Sequence, residues 1–214
     1  DLVRSRGLGD VYKRQAYSLT ALAYDGLDRL TSVTGGNEVG NSTIKYDGLG
    51  NITTYNTKNS AIDYTYNTNN RLTSTSGGKV YSFNYDGRGN VIHNGERDFE
   101  FNRANQLASS GSNSYVYDGF NRRVKTQDSK GTSYSLYNRA GTLLYREVNG
   151  EPVNYIYLGG KLVAKLGETS STGSSRQHYK PFGGTIEAPK DDVGYTGHKF
   201  DTDLNLSYMQ ARYY

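Results

Sequence analysis

Cysteine is absent from the 214-residue chain, and proline occurs only 3 times. Without Cys there is no disulfide framework and no cysteine-ligated metal site, which fits a secreted protein that avoids thiols. So few prolines, and no Gly-X-Y period, exclude a collagen-like rod. No apolar run approaches the ~18 residues of a membrane-spanning helix. Aliphatic residues are scarce too: the hydrophobic set is 34% of the chain, and 21 of those residues are Tyr. With Gly counted in place of Tyr the share is about 36%, below the roughly 45–50% of ordinary globular domains. A thick aliphatic core is not expected. Tyr at this density also argues against disorder, which is poor in aromatics. The length suits one all-β domain or two small ones.

The net charge is +4. Arg4, Arg6, Lys13 and Arg14 against Asp1 and Asp10 place half of it in residues 1–15. The rest of the chain has no Lys/Arg cluster, whereas a phosphate-binding surface needs several convergent cations. Nucleic acid is therefore not an expected partner. No apolar segment follows the basic residues as in a secretory signal. The chain does not begin with Met, and it reads as a fragment of a longer protein.

One unit recurs along the chain. Tyr24-Asp25-Gly26-Leu27-Asp28-Arg29-Leu30 returns as Tyr46-Asp47-Gly48-Leu49-Gly50-Asn51-Ile52, as Tyr66-Asn67-Thr68-Asn69-Asn70-Arg71-Leu72 and as Tyr85-Asp86-Gly87-Arg88-Gly89-Asn90-Val91. Weaker copies start at Phe101, Tyr117, Tyr137 and Tyr157. A period near 20 residues marks a repeat architecture in which each unit leans on its neighbours.

Each copy ends a run rich in Tyr, Thr, Ser and Val, which form strands. In Val80-Tyr81-Ser82-Phe83-Asn84-Tyr85 the alternation puts Tyr81, Phe83 and Tyr85 on one face. Asp or Asn follows, able to cap a turn. Four residues after the aromatic stand Asp28, Gly50, Asn70, Gly89, Asn105, Asn121 and Gly141, all types that tolerate positive φ. This predicts a type I turn closed by a left-handed residue and a bulge. Two residues further on the chain is apolar again at Leu30, Ile52, Leu72, Val91, Leu107 and Leu143, but the sixth copy has Arg123. The eighth copy is one residue short. The expected fold is all-β: serial antiparallel hairpins in one long sheet, either curled or closed as a small barrel or propeller.

The Y-D-x-x-G-[RN]-[LIV] unit resembles the YD repeat of RHS (rearrangement hotspot) and YD-repeat proteins from residue 24 to about 165. Residues 179–214 are similar to the start of the RHS-associated core domain, through Pro181-Phe182-Gly183, Gly197-His198-Lys199-Phe200-Asp201 and Ala211-Arg212-Tyr213-Tyr214. The resemblance implies a piece of a hollow β-shell, in a bacterial protein that is secreted or cell-surface-associated. Such a shell encloses a toxic C-terminal polypeptide, so the implied partners are that polypeptide and the remaining shell. The implied organisation is a non-family tail over 1–15, read as an artefact of assembly, YD repeats over 16–166, a polar Ser/Thr/Gly loop over 167–178 and a truncated core over 179–214. The loop stands where related cores carry an H-x-D-x-L-G stretch, so an incomplete plug is expected.

The resemblance also implies an activity. Related cores cut themselves through a pair of Asp residues assisted by Arg, two carboxylates sharing one proton. Asp201 matches the first Asp, Gly194 stands in place of the Arg, and the second Asp would fall beyond Tyr214. Asp203 is a poorer candidate. Read without the family, Asp201 is a turn residue before a strand. No autoproteolytic enzyme is therefore expected of this chain.

His93, His178 and His198 lack ligand spacing, and neither a metal nor a cofactor is expected. No nucleophile motif or phosphate loop occurs. Gly35-Gly36, Gly77-Gly78 and Gly159-Gly160 read as turns. Asn41 and Asn51 fit the glycosylation pattern, but Asn51 is better explained by its hairpin. Three function classes follow: a structural toxin shell, a module that binds carbohydrate at cell surfaces through exposed Tyr and Asn, and a self-cleaving core.

Overall fold

The computed structural model describes residues 19–37, 39–167, 177–210 and 212–213. The expected tail, 1–15, and most of the polar loop, 168–176, lie outside them. The chain divides into two compact units, Asp1–Asn84 and Tyr85–Tyr214.

In the first unit, strands β1 (Leu19–Tyr24), β2 (Leu30–Gly35), β3 (Ser42–Tyr46), β4 (Ile52–Thr57), β5 (Ala61–Tyr66) and β6 (Leu72–Ser76) pair in chain order. Every pair is antiparallel. At the boundary of the units a short β7 (Asn84–Tyr85) pairs with β8 (Val91–His93) as a two-stranded ribbon. An eight-stranded sheet follows, again in chain order: β9 (Glu100–Phe101), β10 (Leu107–Ser110), β11 (Asn113–Tyr117), β12 (Arg123–Asp128), β13 (Gly131–Tyr137), β14 (Leu143–Val148), β15 (Glu151–Leu158) and β16 (Lys161–Leu166). Last comes a three-stranded sheet of β17 (Lys199–Asp201), β18 (Leu206–Met209) and β19 (Arg212–Tyr213).

Serial antiparallel hairpins are thus what the chain forms. Among the described residues the first and last strands of each large sheet do not pair with each other, so neither is a closed small barrel. The expectation of one uninterrupted sheet needs correction. Residues 80–83 run beside β6 with a single bridge, Ser74 to Ser82. There the Thr75 hydroxyl donates to the Lys79 carbonyl and accepts the Tyr81 amide, both at 2.9 Å. A side chain thereby takes the Tyr81 amide from the ladder, while the Thr75 amide still donates to the Tyr81 carbonyl at 3.0 Å and the Phe83 amide to the Thr73 carbonyl at 2.9 Å.

The turn chemistry is as the repeat implies. Asp28, Gly50, Asn70, Gly89, Asn105, Asn121 and Gly141 all have positive φ, between 58° and 91°. In the first turn the Asp28 amide donates to the Asp25 carbonyl at 3.1 Å and the Asp25 amide to the Arg29 carbonyl at 3.0 Å. The same pair of bonds recurs in the next six copies, with a register shift where the strands enter the turn. The eighth copy uses a two-residue turn, with φ of 55° at Gly159 and 75° at Gly160, which accounts for its missing residue. Lys180–Gly184 and Gly194–His198 repeat the two-bond pattern in the C-terminal region, so YD-like turns continue past the repeats.

Consecutive copies are joined in two ways. The Tyr46 hydroxyl donates to the Leu30 carbonyl at 2.8 Å, Tyr66 to Ile52 at 2.9 Å and Tyr137 to Arg123 at 3.2 Å. Each tyrosine therefore bonds the returning strand of the copy before it. The residue after the left-handed position reaches forward to the next turn: Arg29 to the Asp47 carbonyl at 3.2 Å, Asn51 to Asn70 at 2.5 Å, Asn90 to Asn105 at 3.1 Å, Gln106 to Asn121 at 2.8 Å and Arg122 to the Asn138 carbonyl at 2.7 Å. These bonds give the Tyr and the Arg/Asn of the repeat a physical purpose. The apolar interior is thin, as composition requires. Val33 and Ile44 are buried in the first unit, and Phe99, Leu107, Tyr115 and Leu204 cluster in the second.

Candidate functional site: a buried charge cluster and its cleft

Arg123 begins β12 at the place where other copies carry an aliphatic residue. Its guanidinium grips both oxygens of Asp201, at 2.6 and 2.8 Å, and the two side chains are 2% and 6% exposed. Asp201 is the last residue of β17, not a turn residue. The Lys199 ammonium touches Asp201 and also Asp191, the latter at 2.9 Å. Arg146 reaches Asp191 from β14 at 3.3 Å.

Aromatic rings complete the cluster. Arg123 lies 4.3 Å from the ring centre of Tyr208 and 5.0 Å from that of Tyr115, where a ring face attracts a cation. The Arg123 amide donates to the Tyr208 hydroxyl at 2.8 Å, and the Tyr117 and Tyr213 hydroxyls meet at 2.8 Å. Arg123 therefore fastens the C-terminal sheet to the repeats.

The electrostatics follow from these contacts. Burial alone would raise the Asp201 carboxyl, but Arg123 and Lys199 outweigh it and hold the group below the usual carboxylate range. Asp191 is likewise lowered, its burial outweighed by Lys199 and Arg146. Burial pushes the hydroxyls of Tyr115, Tyr117, Tyr208 and Tyr213 up. A proton-sharing carboxylate pair needs one member raised. Here Lys199 stands between two lowered ones.

Asp203 accepts from the Ser129 amide at 3.0 Å and hydroxyl at 2.7 Å, and Lys130 bridges it to Asp191 at 3.5 and 3.3 Å. At Gly194 a Cβ would meet the Tyr179 hydroxyl at 2.5 Å, so a side chain there requires Tyr179 to move. The arginine beside Asp201 comes instead from a repeat, as Arg123, with Lys199 as a second cation. The missing aliphatic residue of the sixth copy signalled Arg123, but only the tertiary contact reveals its partner. His93 meets Asp98 at 2.7 Å, His178 meets Glu187 at 2.6 Å and His198 meets Thr196 at 3.0 Å. Among the described residues no three His, Cys, Asp or Glu gather as a metal site would require.

Beside the cluster lies a cleft of about 280 Å³, between the turns of the seventh and eighth copies and the C-terminal loops. Tyr137, Thr142, Tyr157, His198, Lys199 and Gln210 contribute to its walls.

Hairpins in series, with tyrosines bonding back and turn residues bonding forward, define a YD-repeat sheet. The chain belongs to the teneurin YD-shell family, whose model matches residues 11–178, and it is an RHS/YD-shell protein. A curated relative, the tRNA3(Ser)-specific nuclease WapA of Bacillus spizizenii, is 26% identical over 190 residues, covering 83% of this chain and 8% of the relative. The chain thus spans less than a tenth of that protein's length. Among solved structures, the TcdB2-TccC3-Cdc42 crystal structure is 14% identical, covering 90% of this chain and 18% of its own, with a TM-score of 0.42. The Tc holotoxin pore of Photorhabdus luminescens is also 14% identical, covering 92% and 17%, with a TM-score of 0.32. No helix among the described residues is long and apolar enough to cross a membrane.

Proposed function

We infer that this chain forms part of the wall of a YD-repeat shell that encloses a toxic polypeptide outside the bacterium producing it. The observation that carries this reading is the copy-to-copy bonding, Tyr46 to Leu30 and Arg29 to Asp47 among others. Within each unit, hairpins are fastened to their neighbours by their own signature residues, which is what the wall of a shell requires. Membership of the YD-shell family supports the same conclusion.

The chain's part is structural on this reading. Asp201, ionised between Arg123 and Lys199, closes the C-terminal region onto the repeats rather than cutting a peptide bond. Its partners are the remaining shell and the enclosed polypeptide. The test is protease protection in the full-length protein. An added protease should spare the enclosed polypeptide in the intact protein and reach it when Arg123→Ala and Tyr46→Ala loosen the wall. Equal digestion with and without an intact wall would refute enclosure.

A further inference from the structure

The dipeptide Asn–Gly occurs twice in the chain, at Asn94-Gly95 and at Asn149-Gly150. In this dipeptide the glycine amide nitrogen can attack the Asn side-chain carbonyl, because no Cβ crowds its approach. The fold treats the two copies differently. Asn94 opens the short loop between His93 and Asp98, which face each other across a bridge. Its side-chain oxygen accepts the Glu96 amide at 3.1 Å and the Arg97 amide at 3.0 Å. Among the described residues neither its side-chain nitrogen nor the Gly95 amide makes a hydrogen bond, and Gly95 is exposed to water. Asn149 is fixed at both ends of its amide. Its oxygen accepts the Thr132 amide at 3.1 Å, and its nitrogen donates to the Lys130 carbonyl.

The contacts of Asn94 match the demands of ring closure. When the Gly95 nitrogen bonds to the Asn94 side-chain carbon, negative charge develops on the side-chain oxygen. Two backbone amides already point at that oxygen, as the donors of an oxyanion hole do, and the neighbours are held in place for an intramolecular attack. The Gly95 nitrogen gives up its proton, the carboxamide nitrogen leaves as ammonia, and a succinimide ring remains. Water then opens the ring at either carbonyl, leaving an aspartate or an isoaspartate, so water is the sole co-reactant. We propose that Asn94 is a self-modifying site, which cyclises with Gly95 and is hydrolysed in this way while Asn149 stays intact.

Other turns lack part of this arrangement. Asp25, Asp47, Asp86 and Asp118 also precede glycine and accept backbone amides, but a carboxylate ionised at neutral pH resists a nucleophile. Asn67 and Asn102 accept amides in the same way, but the side chains of Thr68 and Arg103 follow them and crowd the attacking nitrogen. The modification bears on the C-terminal region. Arg97 leaves the same loop to donate to the Asp203 carbonyl at 2.5 Å, and isoaspartate lengthens the main chain just before it.

The whole chain, kept in warm, mildly alkaline buffer made with heavy-oxygen water, tests this by peptide mapping in a mass spectrometer. Opening of the ring leaves a heavy oxygen in the modified peptide. In the folded chain the Asn94 peptide should take up the label at least about tenfold faster than the Asn149 peptide, since losing one oxyanion donor costs a reaction that much or more. In denaturant the two should convert at similar rates, because only the shared dipeptide then acts. Asn94→Gln, whose longer side chain closes a ring poorly, should leave its peptide unlabelled. The proposal is overturned if Asn149 keeps pace in the folded chain, if the Asn94 peptide stays unlabelled there, if the same gap persists in denaturant, or if Asn94→Gln takes up label at the original rate.

Discussion

Arg123 and Asp201 stand 78 residues apart in the chain and form a two-pronged ion pair at 2.6 and 2.8 Å. A pair this deeply buried is strongly destabilising to break by halves, because the remaining charge is left without its partner. Arg123→Leu, which restores the aliphatic residue of the repeat, should destabilise the second unit by about 3–5 kcal/mol. Asp201→Asn should have a similar effect. The double variant should lose clearly less than the two losses added together. Urea denaturation followed by near-ultraviolet circular dichroism checks this, and simple additivity would show that the two residues are not coupled.

The same cluster sets the behaviour in acid. Asp201 and Asp191 are lowered in the folded chain despite their burial. A depressed carboxylate contributes stability above its unfolded pKa, near 3.9 for Asp, and loses it as the pH falls through the folded value. Stability from these two groups should hold down to about pH 4 and decline below it. Thermal melts between neutral pH and strong acid would show this, and Asp201→Asn should flatten the acid limb.

In alkali the tyrosines decide. Burial raises Tyr115, Tyr117 and Tyr208 above the ordinary tyrosine value. A raised pKa means stability that is complete below about pH 10 and lost as the pH climbs toward the folded value. Of the 21 tyrosines, exposed ones should ionise in the ordinary range. The cluster should ionise later and together with unfolding, seen as a second step in tyrosinate absorbance. A single step near pH 10 for all of them would contradict the buried cluster.

The repeat signature can be tested residue by residue in the first unit. Asp28 has φ of 58°, so Asp28→Gly should be nearly neutral, whereas Asp28→Ala should destabilise by about 1 kcal/mol. Tyr46→Phe removes the bond to the Leu30 carbonyl and should remove about 1 kcal/mol. Chemical denaturation of these variants gives the comparison, and a harmless Tyr46→Phe would mean that the ring alone matters.

Among the described residues β1 and β16 end their sheets. Leu19–Tyr24 carries no charge, whereas β16 carries Lys161 and Lys165, and charged edges resist pairing. The chain should therefore self-associate with rising concentration, chiefly through β1, and Ala21→Lys should suppress it. Sedimentation that finds only monomer at every concentration would count against an open edge.

The hairpins, their turn type and the seven left-handed positions were legible in the sequence, because each depends on residues within one copy. Asp or Asn caps the turn, Gly, Asn or Asp accepts positive φ, and alternation assigns the faces. The irregular pairing after β6 was not legible, since it depends on the Thr75 hydroxyl taking the Tyr81 amide, which the residue type alone does not fix. Asp201 could be picked out by its motif but not its surroundings, and Arg123 appeared only as an irregularity in the sixth copy. Whether a carboxylate is ionised, and what it holds, depends on charges brought close through space. Lys199 lies two residues from Asp201, but Arg123 and Arg146 lie far away in the chain, and folding alone brings them to Asp201 and Asp191. Local chemistry thus determined the repeating hairpin, and long-range contact decided what the one odd residue in it is for.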